Sequence, residues 1–307
     1  MNRAAGCDAV IVGFYGQIIL PIVKLLIPKP ILFDMYIATY DTMVKDRQVA
    51  KPGSFRSKIF SWSDRLACKL SQKIVLETED HIRDFSSKFA IAKHKFRTVF
   101  LAADSDSIYP KNNHKTTPAF LVHFHGEYAP FHGVKYIIKA AELLKHHDVE
   151  FQIIGRGITY AKDLALADSL RLTNIRFLEP VPYEELKNLM AGADVCLGIF
   201  GDNERMLRVT TNKVIEAIAA AKPLITGRNT PVQELLTHCE SVFLCERANP
   251  KALADAIIVL KNDNVLRHKI AQGGYTTFKK HCTLAQLGQG FHSILQELVY
   301  YDRNTKA

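Results

Sequence analysis

Short β-branched runs alternate with stretches of helical period along almost the whole chain, and no other feature narrows its fold as much. Strands separated by helices pair in parallel, and a parallel sheet needs helices over both faces. In the first part, strands are predicted at Ala9–Val12, Ile31–Asp34, Lys73–Glu77 and Arg97–Leu101, and helices near Gln17–Leu26, Phe55–Ser71 and Glu79–Phe89. The rhythm lapses over Asp104–Thr117, where SDSIYPKNNHKTTP is polar and carries Pro110 and Pro118, so a linker is expected there. A second series follows, with strands at Ala119–Phe124, Glu150–Ile154, Ile175–Leu178, Val195–Ile199, Pro223–Thr226 and Ser241–Leu244.

The helices carry start signals. Thr78 precedes one as an N-cap, Thr230-Pro231-Val232-Gln233 combines cap, proline and glutamine, Asn249-Pro250 repeats the device, and Thr283 with Gln286 forms a capping box. The expectation is an α/β chain of two Rossmann-like, doubly wound domains with parallel sheets. Residues 1–112 form an incomplete first domain, and residues 113–307 a second whose C-terminal helix returns to the first.

Ala9 to Ile27 is nearly all apolar and close to a membrane span in length. Gln17, Pro21, Lys24 and the early Gly13 and Gly16 favour a buried strand, a turn and a helix instead. The formal net charge of +9 raises nucleic acid or an anionic membrane as partners. The charge is scattered and no nucleic-acid-reading motif is present, so nucleic acid is set aside. Lys24, Lys29, Lys45, Arg47, Lys51, Arg56 and Lys58, near apolar surface candidates, suit peripheral docking on anionic lipid. The six cysteines show no CxxC and no zinc spacing, which fits a reducing, cytoplasmic setting.

The chemistry concentrates at three strand-to-loop junctions. Ligands of doubly wound folds sit beyond the carboxyl ends of strands, where Gly-rich loops feed helices. The stretch LGIFGDNERMLRVTTNKVIEAIAAAKP, Leu197 to Pro223, ends a strand in an acidic loop and starts a helix behind Thr210–Thr211. Amides and dipole at that helix start attract a diphosphate, and Lys213 adds a positive charge. Glu216 lies on the same helical face and is an acceptor for ribose hydroxyls. The second junction, His125-Gly126 through His132-Gly133, lets a ligand approach the backbone. The third, Ile154-Gly155-Arg156-Gly157, is a weak signal by itself. His123, His125 and His132 lie close together, but no carboxylate or cysteine completes a metal set, and a polar loop is the simpler reading.

In this order the three junctions resemble the nucleotide-binding domain of family 4 glycosyltransferases of the GT-B fold. The motifs are G-x6-G, IIGRG, NIRFLEPVPYEEL, ADVCLGIFGDNE and NKVIEAIAAAKPLI, and the resemblance runs from about Asp8 to the C-terminal helix. It implies a retaining, metal-independent transferase with a nucleotide-diphospho-sugar as co-substrate and no cofactor. The acceptor it implies is a glycan or a lipid-linked one, bound in a cleft between the domains at the inner face of the membrane. On this resemblance Gly126, His132, Gly133, Arg208, Thr211 and Lys213 hold the diphosphate. Glu216, Gly155, Val181, Gly201, Asp202 and Asn212 serve ribose, base and sugar. Glu204, Asp34 and Tyr36 are the catalytic candidates, with Asp41 and Arg47 also on the acceptor side.

Three departures stand out. Arg208 occupies the first place of the family's Glu-x7-Glu pair. Glu127 and His132 replace an Arg and a Lys of the diphosphate loop. The opening strand, acceptor-side Gly loop and roughly two βα units expected before Asp8 are absent, so the chain reads as N-terminally truncated or misannotated. Two other readings follow from these departures and from the scaffold: a non-catalytic GT-B-like binding subunit, and a sugar-nucleotide 2-epimerase.

Overall fold

The computed structural model describes residues 6–13, 15–111 and 118–306, with side chains to residue 300. The chain divides into two compact units, Met1–Phe100 with Ala285–Ala307, and Leu101–Leu284. The boundary expected after residue 112 falls inside the second unit. Of the stretch read as a linker, residues 112–117 lie outside the described residues. Its first half is built into the second unit: Ile108 is buried, the Lys187 ammonium lies 5.4 Å over the Tyr109 ring, and Lys111 Nζ donates to Asn188 Oδ1 at 2.8 Å.

The first unit contains β1 (Val10–Val12), α1 (Leu20–Leu26), β2 (Ile31–Asp34), α2 (Phe55–Leu70), β3 (Lys73–Leu76), α3 (Glu79–Phe89) and β4 (Phe96–Thr98). The strands are parallel, in the order β1-β2-β3-β4. Right-handed crossovers taken in one direction place all three helices on one face. Ile31, Phe33, Ile74 and Leu76 point into that layer with Leu20, Cys68 and Phe85. The alternate residues Leu32 and Val75 face the other way, where Ile294 and Leu298 of the C-terminal helix cover them together with Val99.

Two local expectations change. The helix expected from Gln17 begins only at Leu20, and Gln17 is buried with its amide donating to Ile37 O at 2.9 Å. Asp41–Asp46, to which the sequence assigned no helix or strand, is a π-helix. The amides leading into it, Thr39 N and Tyr40 N, donate to Asp64 of α2 at 3.0 and 2.9 Å. Among the described residues no helix is long and apolar enough to cross a membrane.

The second unit holds β5 (Phe120–His125), α4 (Val134–Leu143), β6 (Val149–Ile154), α5 (Tyr160–Ser169), β7 (Ile175–Leu178), α6 (Tyr183–Ala191) and β8 (Val195–Leu197). It continues through α7 (Asn212–Ala219), β9 (Leu224–Gly227), α8 (Thr230–Leu235), β10 (Phe243–Cys245), α9 (Pro250–Asn262) and α10 (Asn264–His281), and the chain ends in α11 (Leu284–Lys306). Its six parallel strands run β10-β9-β8-β5-β6-β7. The order therefore reverses at β5, beside β8. Phe120, Val122 and Phe124 of β5 face the main core with Ile137 and Ile138 of α4 and Leu253 and Ile257 of α9. His123 and His125 point to the opposite side, as strand alternation requires. Asn249 caps α9 as expected, accepting from Ala252 N at 3.1 Å. For α8 the cap is Asn229, not Thr230: its Oδ1 accepts from Val232 N at 2.9 Å.

Candidate functional site

The three junctions read from the sequence meet at the carboxyl ends of β5, β6 and β8, where the strand order reverses. Glycine permits the close approach. Gly155 has φ +136°, and a Cβ there would lie 2.0 Å from Gly126 O. Gly133, with φ +72°, touches the backbone of Phe200 and Gly201. Gly201 N in turn donates to Phe131 O at 3.1 Å. The β5, β6 and β8 loops thus form one backbone surface.

The start of α7 faces this surface. A Cβ on Gly126, where φ is +133°, would meet Lys213 Nζ at 3.0 Å. Lys213 Nζ also donates to His132 Nε2 at 3.1 Å. His132 then carries its proton on Nδ1, which donates to Glu127 O. Burial lowers the Lys213 ammonium to about 7, against the opposing charges of Glu216 and Glu127. Burial, and next the Lys213 charge, drive the His132 imidazole well below its ordinary value. Thr211 is the N-cap of α7, yet its side chain makes no cap bond and its Oγ1 is buried without a partner. A lysine ammonium sealed from water and amides at a helix start are complementary to a phosphate-type anion.

Glu216 leaves α7 on the same side. Its Oε2 accepts from His125 Nε2 at 2.7 Å and its Oε1 from Tyr183 OH at 2.9 Å. Burial pushes this carboxyl up, but the His125 and Tyr183 bonds and the Lys213 charge outweigh it and hold the group below its usual value. The sequence had singled out neither His125 nor Tyr183 as a partner of Glu216. The period-two placement of His123 and His125 was the available signal.

The other candidates are spread more widely. Val181 sits in the β7–α6 loop, half-buried, and Asn212 opens α7. Arg208 lies in a 3-10 turn and pairs with Glu204 at 3.0 Å, and the Glu204 side chain is 61% exposed. Asp202 binds Lys135 Nζ at 2.9 Å and Tyr136 OH at 2.7 Å on α4. Arg156 forms a forked pair with Glu179, Nε to Oε2 at 2.6 Å. In the first unit, Asp34 ends β2 and accepts from Tyr36 N at 3.4 Å, and burial raises its carboxyl. The Tyr36 hydroxyl donates to Val99 O at 2.6 Å, which commits it to the backbone. Asp41 is buried beside Lys88 at 3.1 Å and Lys45 at 3.7 Å, and Arg47 caps the π-helix at its end.

Residues 119–263 match the family described as glycosyl transferases group 1. An uncharacterized glycosyltransferase of Methanocaldococcus jannaschii is 26% identical over 57% of this chain and 47% of its own length. A D-inositol 3-phosphate glycosyltransferase of Corynebacterium glutamicum is 24% identical over 72% of this chain and 57% of its own. The chain thus spans about half the length of the curated relatives it matches. Among solved structures, the Anabaena protein HepE in complex with UDP superposes with a TM-score of 0.77 at 16% identity, covering 96% of this chain and 80% of that one. The α/β fold is of the GT-B class. Within it, residues 119–263 are the part that is similar to group 1 glycosyl transferases.

Proposed function

We propose that the second unit binds a nucleotide-diphospho-sugar. In this reading the diphosphate lies between Gly126, Gly133, His132, Lys213 and the start of α7, and Glu216 holds the ribose. One observation carries it: a buried lysine ammonium set against the Gly126 backbone at the point where strand order reverses. The chemistry is retaining, metal-independent transfer of the sugar to a glycan or lipid-linked acceptor in surface-polysaccharide synthesis. As the sugar leaves, negative charge grows on the departing nucleoside diphosphate, and preorganised amides and cations stabilise that charge most where water is excluded. The charge a divalent cation would otherwise provide comes from Lys213, which the neutral His132 ring holds in place through Nε2. Binding of UDP in the HepE structure and the family match support the donor class. Asp34 remains an acceptor-side candidate, and Tyr36 is set aside because its hydroxyl is spent on Val99.

Calorimetric titration with UDP, GDP and ADP tests the site. At least one should bind, and Lys213→Ala and Glu216→Ala should each weaken it roughly tenfold or more, as loss of a charged partner implies. Unchanged binding in both variants removes the assignment. A non-catalytic binding subunit is the second reading, favoured by the exposed Glu204 paired with Arg208 in place of the family's acidic pair. Nucleotide binding without donor turnover on any acceptor would select it.

Contact with anionic lipid on the cytoplasmic face belongs to the same proposal. Ile22, Leu25 and Leu26 of α1 and Phe55, Ile59 and Trp62 of α2 are exposed. The two helices pack together, and Lys24, Arg56 and Lys58 lie among these residues in sequence. Sedimentation with liposomes should increase with anionic lipid content, and a flat response dismisses the contact.

A further inference from the structure

A row of buried polar side chains leads to Glu216, and the diphosphate cradle makes no use of it. Gln152 on β6 and His123 on β5 are cross-strand partners, with Gln152 Nε2 2.9 Å from His123 Nδ1. His123 Nε2 lies 2.9 Å from His125 Nδ1, and His125 Nε2 lies 2.7 Å from Glu216 Oε2. Gln152, His123 and His125 are at most 7% exposed.

The two ends settle where the protons sit. An ionised carboxylate only accepts and an amide nitrogen only donates. Glu216 therefore places a proton on His125 Nε2. The Nδ1 of that ring must then accept from His123 Nε2–H, and His123 Nδ1 from Gln152. Every link has one donor and one acceptor, all pointing towards Glu216. The glutamine cannot turn over without loss, because its amide nitrogen also donates to Leu189 O at 3.0 Å and its oxygen accepts from Arg176 at 3.3 Å. Burial, then the neighbouring His125 and Lys222, keep the His123 ring well below its ordinary protonation range, in the neutral form the row requires. A buried polar network with every member satisfied specifies one geometry, whereas a partly satisfied one is costly.

We propose that Gln152, His123 and His125 form a positioning relay that holds the Glu216 carboxylate in a single orientation for the ribose hydroxyls of the nucleotide. This rests on the role given to Glu216 above. The three are positioning residues, since they act only through Glu216.

The test compares UDP, GDP and ADP with their 2′,3′-dideoxy forms by calorimetry. The wild-type protein should favour the ribose form roughly tenfold or more, the range expected when charge-assisted hydrogen bonds are lost. In His125→Leu that ratio should fall to about threefold or less, and His125→Gln, which keeps a donor towards Glu216, should restore most of it. A wild-type ratio retained in His125→Leu overturns the relay. A wild-type protein that binds both forms equally removes the ribose role of Glu216, and the relay with it, while leaving the diphosphate cradle standing. No binding of any nucleotide defeats the underlying reading itself. Should His125→Leu not fold, nitrogen-15 spectra of the wild-type histidines decide: both rings should carry their proton on Nε2 at pH 7, and an Nδ1–H form at either ring overturns the relay.

Discussion

An ammonium closed off from water must lose its proton or find an anion. Lys213 is in that position, with burial bringing it to about 7. An unfolded lysine titrates near ~10.4, so between these values the unfolded chain binds more protons than the native one. Stability contributed at this residue therefore rises with pH from about 7 to about 10. Lys213→Met should raise the Tm of the ligand-free protein at pH 7 by a few degrees, and the gain should shrink towards pH 10 in a series of thermal melts. Nucleotide binding should run the other way. A bound diphosphate restores the proton, so at pH 8 binding takes up protons and affinity falls as pH rises from about 7 to about 9. Titrations in two buffers of different ionisation enthalpy measure that uptake, and a binding enthalpy independent of buffer refutes it. The sequence marked Lys213 as a mobile positive charge, but its burial against His132 arises from two segments far apart in the chain.

The β5 and β6 loops meet backbone to backbone, through glycine. A Cβ on Gly155 would sit 2.0 Å from Gly126 O, on a backbone at φ +136°. Gly155→Ala must therefore both strain the turn and part the β5 and β6 loops, at a cost of about 2–4 kcal/mol. The expected readout is a lower Tm together with weakened nucleotide binding, whereas an unchanged Tm denies the contact. Caps were legible where the signal is local. Thr78 caps α3 by accepting from His81 N at 3.2 Å, with the helix bounds as read. Asn229 displaced Thr230 because both residues fit a cap and only backbone geometry chooses between them. The π-helix at Asp41–Asp46 left no local trace, since the carboxylate that receives its leading amides belongs to Asp64 on another helix.

At the scale of the molecule, the first unit needs the far end of the chain. Its three crossover helices cover one face of the sheet, and Leu32 and Val75 on the other are covered by Ile294 and Leu298 of α11. Glu297, between those two, takes Lys73 Nζ at 2.6 Å and Arg97 Nε at 3.0 Å. Exposed pairs of this kind add little, so the apolar contact dominates. Leu298 is 2% exposed, and Leu298→Ala should cost about 2–4 kcal/mol. Hydrogen exchange should quicken in β2 and β3 if the helix is a true second layer, and unaltered protection there would contradict it.

What the sequence determined alone was everything that depends on near neighbours along the chain. The alternation of β and α, the parallel sheets, most helix starts, and the three Gly-bearing loops at strand ends all follow from periodicity, capping and glycine. Tertiary structure alone decided which side chains would be sealed together. The pairing of Glu216 with His125 and Tyr183, the burial of Lys213 beside His132, and the commitment of Tyr36 to Val99 each join residues on separate elements. The physical reason is that desolvation and hydrogen-bond direction, which set the charge and orientation of those groups, come into being only when strands and helices close around them.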